Sequence, residues 1–548
     1  MTLPTALLLL LLAAPALAVW PKPAHMTTGA SAVRLAPSFM VQLSVANPPQ
    51  DLVEAIARTE YNLGNDRHRR LVVGRGKDNA SAITSAPQIL HLNLQLAAQQ
   101  PVRSIAEETS IELENRREEY SLDIPADGQD ATLTANTTLG LFRGLTTFEQ
   151  LFYTLGADVY TIEAPISIQD APGFPYRGLM LDTARNFYSV SDLKRTFDAM
   201  SMVKLSQFHW HVTDSQSFPV EVPGMPEIAQ KGSFDEELIY TAEDVDELAH
   251  YAASRGIDII MEIDMPGHTG SIVTSHPEHV ACGWTDNWGG NAAEPPSGQL
   301  RVASAATQNF TNNMLSALAG VMPGKYFSTG GDEVNEGCYG SDQPTQADLK
   351  ASGKTLRDTI SSFVQSTHQT LGQKGKTPVV WEEMVLAHDI PVPNNTLVTV
   401  WISSGNSASV TAKGLRVVQA PSAYFYLDCG AGGWLGAGNG GSWCDPFKSW
   451  GHVYSYEPYS GIPDAQHKLI VGGQTLLWSE QSSPENLDSI VWPRTAALAE
   501  VFWSPLGERN GVEASARMHD VRYRMVQRGI RATAMQPHWC ALRPGKCN

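Results

Sequence analysis

Two hydrophobic rhythms divide the chain. Up to about residue 172, short segments alternate apolar and polar positions with a period of two. Ser110-Ile-Glu-Leu-Glu and Ala131-Thr-Leu-Thr-Ala read this way, as half-exposed strands. Leu139 to Leu151 instead sets Leu141, Leu145 and Phe148 on one helical stripe. This predicts a small α/β domain over residues 19–172, closed by Ala171-Pro172-Gly173. No chemically active residues cluster in it, so a supporting role is expected.

From Tyr176 the runs become continuously apolar, as in strands buried on both faces. They are Arg177–Asp182, Gln207–Val212, Ile257–Asp264, Lys325–Ser328, Pro378–Trp381, Leu397–Ile402, Arg416–Ala420 and Gln474–Trp478. Helical segments separate them. Thr241-Ala-Glu-Asp244 is a capping-box start, Val245, Leu248 and Ala252 make the stripe, and Gly256 stands at the C-terminal end. Another helix starts at Ser191-Asp192, with Leu193, Phe197 and Met200 inward. Eight strand–helix units over roughly 350 residues predict a (β/α)8 TIM barrel across residues 173–548, with a C-terminal extension. An open doubly wound sheet would not need eight strands, and the chain lacks the Gly-rich phosphate turn of that fold.

At 548 residues the chain exceeds one ordinary core, in keeping with two domains. A net charge of -18 disfavours nucleic acid and anionic membranes as partners and favours a neutral or cationic ligand. Leu7–Leu12 followed by Ala16-Leu17-Ala18 reads as a signal peptide over residues 1–18, although no Lys or Arg precedes the apolar run. That run is too short to cross a bilayer, and no later stretch reaches spanning length. A soluble, secreted chain is expected, with lysosome or vacuole as the alternative. Export makes disulfides the natural reading of six cysteines. The sequence-local pairs Cys282–Cys338, Cys429–Cys444 and Cys540–Cys547 are favoured, each closing a loop. Asn79, Asn136, Asn309 and Asn394 begin glycosylation sequons. Monomer and homodimer both stay open.

Function in such a barrel gathers at the C-terminal strand ends. Those ends carry Asp182, then His211 and Asp214, then Asp264 to His268, then Asp332-Glu333. Trp381-Glu382-Glu383, Trp401, the segment Tyr424 to Asp428, and Trp478 with Glu480 follow. Carboxylates mixed with Trp and Tyr suit a sugar: aromatic faces cover the pyranose C–H surface and acids take the hydroxyls. Arg177, on the first strand, is a candidate for the same task. Glu382 and Glu383 read as solvated loop charges. His209-Trp-His211 raises a metal-centre alternative, but later strand ends supply Trp, Tyr and Glu rather than further His and Asp ligands. A sugar-binding protein without catalysis is a second alternative, which the intact Asp332-Glu333 pair argues against.

Glycoside hydrolysis ordinarily places two carboxyl groups about 5 Å or more apart on either side of the scissile bond. Asp332 and Glu333 are sequence neighbours with Cα atoms about 3.8 Å apart, so they cannot flank a ring. One of them therefore acts on the glycosidic oxygen, and the other handles a different part of the substrate.

Gly330-Gly-Asp-Glu-Val334, Phe208-His-Trp-His-Val-Thr-Asp214 and Asp264-Met-Pro-Gly-His268 closely resemble motifs of the family 20 glycoside hydrolases, the β-N-acetylhexosaminidases. Phe174-Pro-Tyr-Arg-Gly178, Leu181-Asp-Thr183 and Trp492-Pro-Arg494 are similar to further blocks of that family. Tyr426-Leu-Asp-Cys-Gly430 with Trp443-Cys-Asp-Pro446 resembles its fungal branch. The resemblance implies exo-acting, retaining, substrate-assisted cleavage of terminal N-acetylglucosamine or N-acetylgalactosamine, with chito-oligosaccharides favoured. It implies Glu333 as general acid and base, Asp332 on the acetamido N–H, and Tyr426 on the acetamido oxygen. It further implies Trp381, Trp401 and Trp478 as walls, and Arg177, Asp428 and Glu480 on ring hydroxyls. Asp214 and His268 would position Glu333. Neither a metal nor a cofactor is implied. Ser215 and Thr329 depart from the family pattern without touching these roles. Asp428 is expected to repel anionic substrates.

Overall fold

The computed structural model describes residues 19–97, 102–436, 440–504 and 509–547; the expected signal peptide lies outside them. The N-terminal part is a mixed six-stranded sheet. Its longest strand, His25–Leu43, pairs parallel with Gln88–Leu96 and antiparallel with Asp158–Asp170. Helices Gln50–Asn65 and Thr138–Gln150 share one apolar core with the sheet, and Leu141, Leu145 and Phe148 are buried in it. Ala131–Ala135 is a strand, as its alternation predicts.

Ser110–Glu114 is not a strand. It is a turn leading into a short 3-10 segment, Leu113–Asn115. Leu113 is buried among Tyr176, Ile260, Tyr326 and Val471, residues of four barrel strands, and its N–H donates to the Tyr326 hydroxyl oxygen at 3.3 Å. The alternation of Ile111 and Leu113 reflects a plug inserted into the barrel, not a pleated ribbon.

The second part is the expected TIM barrel. Eight parallel strands close on themselves: Tyr176–Asp182, Gln207–Thr213, Asp258–Ile263, Tyr326–Ser328, Thr377–Trp381, Leu397–Val400, Arg416–Gln419 and Ile470–Leu477. Each is one of the eight runs seen in the sequence. Helix Ala242–Ala253 starts at the Thr241–Asp244 capping box, and helix Val190–Met202 starts at a second box on Ser189. Helix Gly511–Gln527 follows the barrel and returns to the N-terminal domain, where Arg524 bonds the carbonyls of Gln150 and Phe152.

The three expected disulfides are present. Cys282–Cys338 ties the loops after the third and fourth strands. Cys429–Cys444 closes the loop after the seventh. No helix among the described residues is long and apolar enough to cross a membrane. Asn136, Asn309 and Asn394 are exposed and Asn79 is half-buried.

Candidate active site

The turn after strand four is built by two glycines. Gly330 and Gly331 have φ of 58° and 106°, a region closed to most side chains. A Cβ on Gly330 would stand 2.0 Å from Asp264 Oδ1, and one on Gly331 2.6 Å from Met384. The close approach lets the Gly331 N–H reach Asp264 Oδ1 at 2.7 Å. Glu333 itself has a φ of 51°. This left-handed turn brings Asp332 and Glu333 to one cavity, where a continuing strand would send them to opposite faces.

That cavity measures about 720 Å³ and is lined by Arg185, His268, Asp332, Glu333, Trp401, Tyr426, Asp428, Trp478 and Glu480. Most of the residues singled out from sequence therefore meet here. Trp401 lies flat against Tyr426, with ring centres 6.0 Å apart and planes at 15°. Tyr426 in turn meets Trp478 at 6.2 Å. Trp381 is fully buried, between Trp478 at 6.1 Å and His209 at 5.6 Å, and supports the aromatic layer without lining the cavity. Trp434 and Trp443, on the loop that Cys429–Cys444 closes, and Phe447 just beyond it, all exposed, extend the wall.

Arg177 does not belong to this group. It is the second residue of the first strand, about 16 Å from the strand's C-terminal end by the rise of an extended chain. Its guanidinium is buried against Glu118 of the N-terminal domain, at 2.7 and 2.9 Å. The arginine of this strand region that does line the cavity is Arg185, three residues beyond the strand's end. It bonds Asp182, Asp214 and Glu294 at 3.3, 2.9 and 2.6 Å and lies 5.1 Å over the Trp478 ring. Nothing in the periodicity marks Arg185 or Glu294. The direction of the strand does, because it sends Arg185 and not Arg177 to the functional end.

A chain of polar groups stands behind Glu333. His268 Nε2 faces Glu333 at 3.3 Å, its Nδ1 meets Asp214 at 3.1 Å, and Asp214 also holds His211 at 2.8 Å. Burial opposes charge on His268, but the neighbouring carboxyl groups, Asp214 foremost, outweigh it and push the imidazole well above its usual range. Burial likewise works against the Asp214 carboxylate, yet Arg185 and His268 keep it well below the usual range. Burial and Asp264 push Asp332 well above that range. For Glu333, burial raises and the hydrogen bond with His268 lowers, and the net direction is down. Burial first, with Asp332, Asp428 and Glu383 adding to it, carries the Tyr426 hydroxyl far up, so it stays a donor. Burial also lifts Asp428 to about 7 and Glu480 to about 8.

The two histidines of the metal alternative are fully engaged. His209 bonds Glu262 and Gln474, each at 3.0 Å, and His211 bonds Glu262 at 2.6 Å and Asp214 at 2.8 Å. Glu382 and Glu383 are not solvated either. Glu382 is completely buried, and Glu383 accepts the Trp401 indole N–H. Their shared partner, Trp401, lies just past the next strand, so their own neighbours in sequence do not disclose it.

Residues 174–506 match the family described as glycosyl hydrolase family 20, catalytic domain, and residues 19–151 match the one described as beta-acetyl hexosaminidase like. A beta-hexosaminidase of Arthroderma benhamiae is 37% identical over 79% of this chain and 74% of its own length. A chitooligosaccharidolytic beta-N-acetylglucosaminidase of Ostrinia furnacalis is 33% identical over 78% of this chain and 75% of its own. Among solved structures, a chitobiase of Flavobacterium johnsoniae superposes with a TM-score of 0.73 at 26% identity, covering 94% of this chain and 73% of that one.

Proposed function

We propose that this chain, which belongs to glycosyl hydrolase family 20 and is a β-hexosaminidase, removes terminal non-reducing N-acetylhexosamine by substrate-assisted catalysis with retention. The observation that carries the reading is the shared wall of Asp332 and Glu333. Two adjacent carboxyl groups on one cavity wall cannot stand on both sides of a sugar, so neither can act as the nucleophile opposite the other's acid. The acetamido oxygen of the substrate fills that role.

Glu333 gives its proton to the glycosidic oxygen as the bond to C1 breaks. The acetamido oxygen closes on C1 and forms an oxazolinium ring. Asp332 accepts the acetamido N–H and steadies the positive charge, and the Tyr426 hydroxyl donates to the acetamido oxygen. Glu333 then takes a proton from the water that opens the ring. Arg185, Asp428 and Glu480 hold the ring hydroxyls, and His268 and Asp214 aim Glu333.

The free site is protonated the other way round, with the proton favoured on Asp332 and the charge on Glu333. An acetamido N–H reaching Asp332 favours its ionised form, and a sugar that shuts out water raises the proton affinity of Glu333. Binding of an N-acetyl sugar thus sets the working protonation state. A plain glucoside lacks the N–H and does not.

Chito-oligosaccharides are the favoured substrates, in line with the chitooligosaccharidolytic relative, and glycoprotein glycans offer the same terminal sugar. Three disulfides and the leader-like first residues support export. Product analysis on chito-oligomers reduced at one end tests the reading. Stepwise loss of single sugars from the non-reducing end is expected; internal cleavage would refute it.

A further inference from the structure

Two consecutive glutamates, Glu382 and Glu383, follow the fifth strand directly, and both close on Trp401, the residue that follows the sixth. Glu382 accepts the backbone N–H of Trp401 at 2.8 Å, that of Ile402 at 2.6 Å, and the Asn406 amide at 2.6 Å. Glu383 accepts the Trp401 indole N–H at 2.9 Å, with its second oxygen at 3.2 Å. Trp401 is thus gripped at both main chain and ring. Trp381 differs, because its buried indole N–H meets no acceptor among the described residues and tight packing alone fixes it.

The difference follows from burial. Trp381 is enclosed, whereas Trp401 is half-buried and lines the cavity. A half-buried indole has open rotamers, and a bond to its N–H removes them. With the N–H fixed, the ring stays parallel to Tyr426 and edge-on to Trp443 at 5.9 Å, giving a flat wall before any sugar binds.

We propose that Glu383 is a positioning residue that sets the plane of Trp401 and so governs affinity for the sugar ring, not the rate of bond cleavage. The proposal rests on the hexosaminidase reading and adds a residue to it. Glu383 touches no substrate atom; it acts through the indole, preorganising a wall that would otherwise have to order on binding.

The test compares E383A, E383Q and W401F in the full chain on an aryl β-N-acetylglucosaminide, with thermal unfolding as the folding control. Loss of the tether in E383A raises KM about tenfold and leaves kcat within about twofold, the split expected when binding alone is weakened. E383Q keeps an oxygen acceptor for the indole and stays within about twofold of the parent in both constants. W401F keeps the carboxyl but removes the donor, and raises KM about as much as E383A; the double variant E383A/W401F is no worse than either single one. Should E383A not fold, W401F with unchanged KM would overturn the proposal. So would an E383Q as impaired as E383A, a loss confined to kcat, or additive losses in the double variant. Failure of the hexosaminidase reading is distinct: there the parent enzyme itself releases no aryl group.

Discussion

The guanidinium of Arg177 meets the carboxylate of Glu118 through two hydrogen bonds, joining the first barrel strand to the N-terminal domain. Arg143 takes the same carboxylate at 2.8 Å and reaches on to the carbonyl of Gly256. Burial opposes the Glu118 charge, but Arg177 and Arg143 outweigh it and bring the group down to about 2. Glu118→Gln leaves two buried guanidinium groups without a counter-charge, which costs about 3–5 kcal/mol. Denaturant unfolding checks the size, and KM of the folded enzyme stays unchanged. The folded value lies below the ordinary 4.5, so the contribution is complete above that pH and is lost as pH falls towards about 2. The acid limb of stability should therefore flatten in Glu118→Gln.

Arg185→Ala gives the complementary result. The residue lies in the cavity with Glu333, Trp478 and Glu480, so its loss raises KM about tenfold or more by removing a hydroxyl ligand. It also uncovers the Asp214 carboxylate, which Arg185 holds at 2.9 Å, so kcat falls as well. Arg177→Ala lowers the unfolding midpoint and spares both constants. Kinetics of the two variants side by side decide which arginine serves the sugar.

This pair also marks what the sequence discloses. The eight strands are legible because strands buried on both faces leave continuous apolar runs. The Asp332-Glu333 pair is legible because its adjacency is itself a geometric limit. Arg177 misleads because charge at either end of a buried strand looks alike until chain direction is considered. Glu294 lies in a long loop without a period. Glu383 finds its partner eighteen residues away, where no local pattern points. The segment Ser110–Glu114 shows the reverse error, in which a true alternation served a plug beneath the barrel.

Glu333→Gln should reduce kcat about 10²–10⁴-fold on substrates with poor leaving groups, and much less on activated aryl glycosides that depart without a proton. Equal losses on both would remove its role as acid. Asp332→Asn should lower kcat by a similar factor and weaken inhibition by a thiazoline mimic of the bicyclic intermediate. A β-glucoside lacking the acetamido group should be nearly inert, and brisk hydrolysis of it would exclude the assisted route.

The wall that holds the ring hydroxyls should make selection against anionic sugars depend on pH. Burial lifts Asp428 to about 7 and, against Arg185, lifts Glu480 to about 8. Both are therefore largely neutral at pH 6 and become charged as the pH passes 8. Two unit charges about 6 Å apart at an effective dielectric near 20 repel by about 3 kcal/mol, on the order of a hundredfold in kcat/KM. The ratio of kcat/KM for an N-acetylglucosaminide to that for its sulfated analogue should thus climb between pH 6 and pH 8. Asp428→Asn removes the group with the lower of the two values, so the climb should shrink and shift to higher pH. A ratio that stayed flat in the parent enzyme would mean that the sulfate never approaches this wall, and that Asp428 faces another part of the sugar.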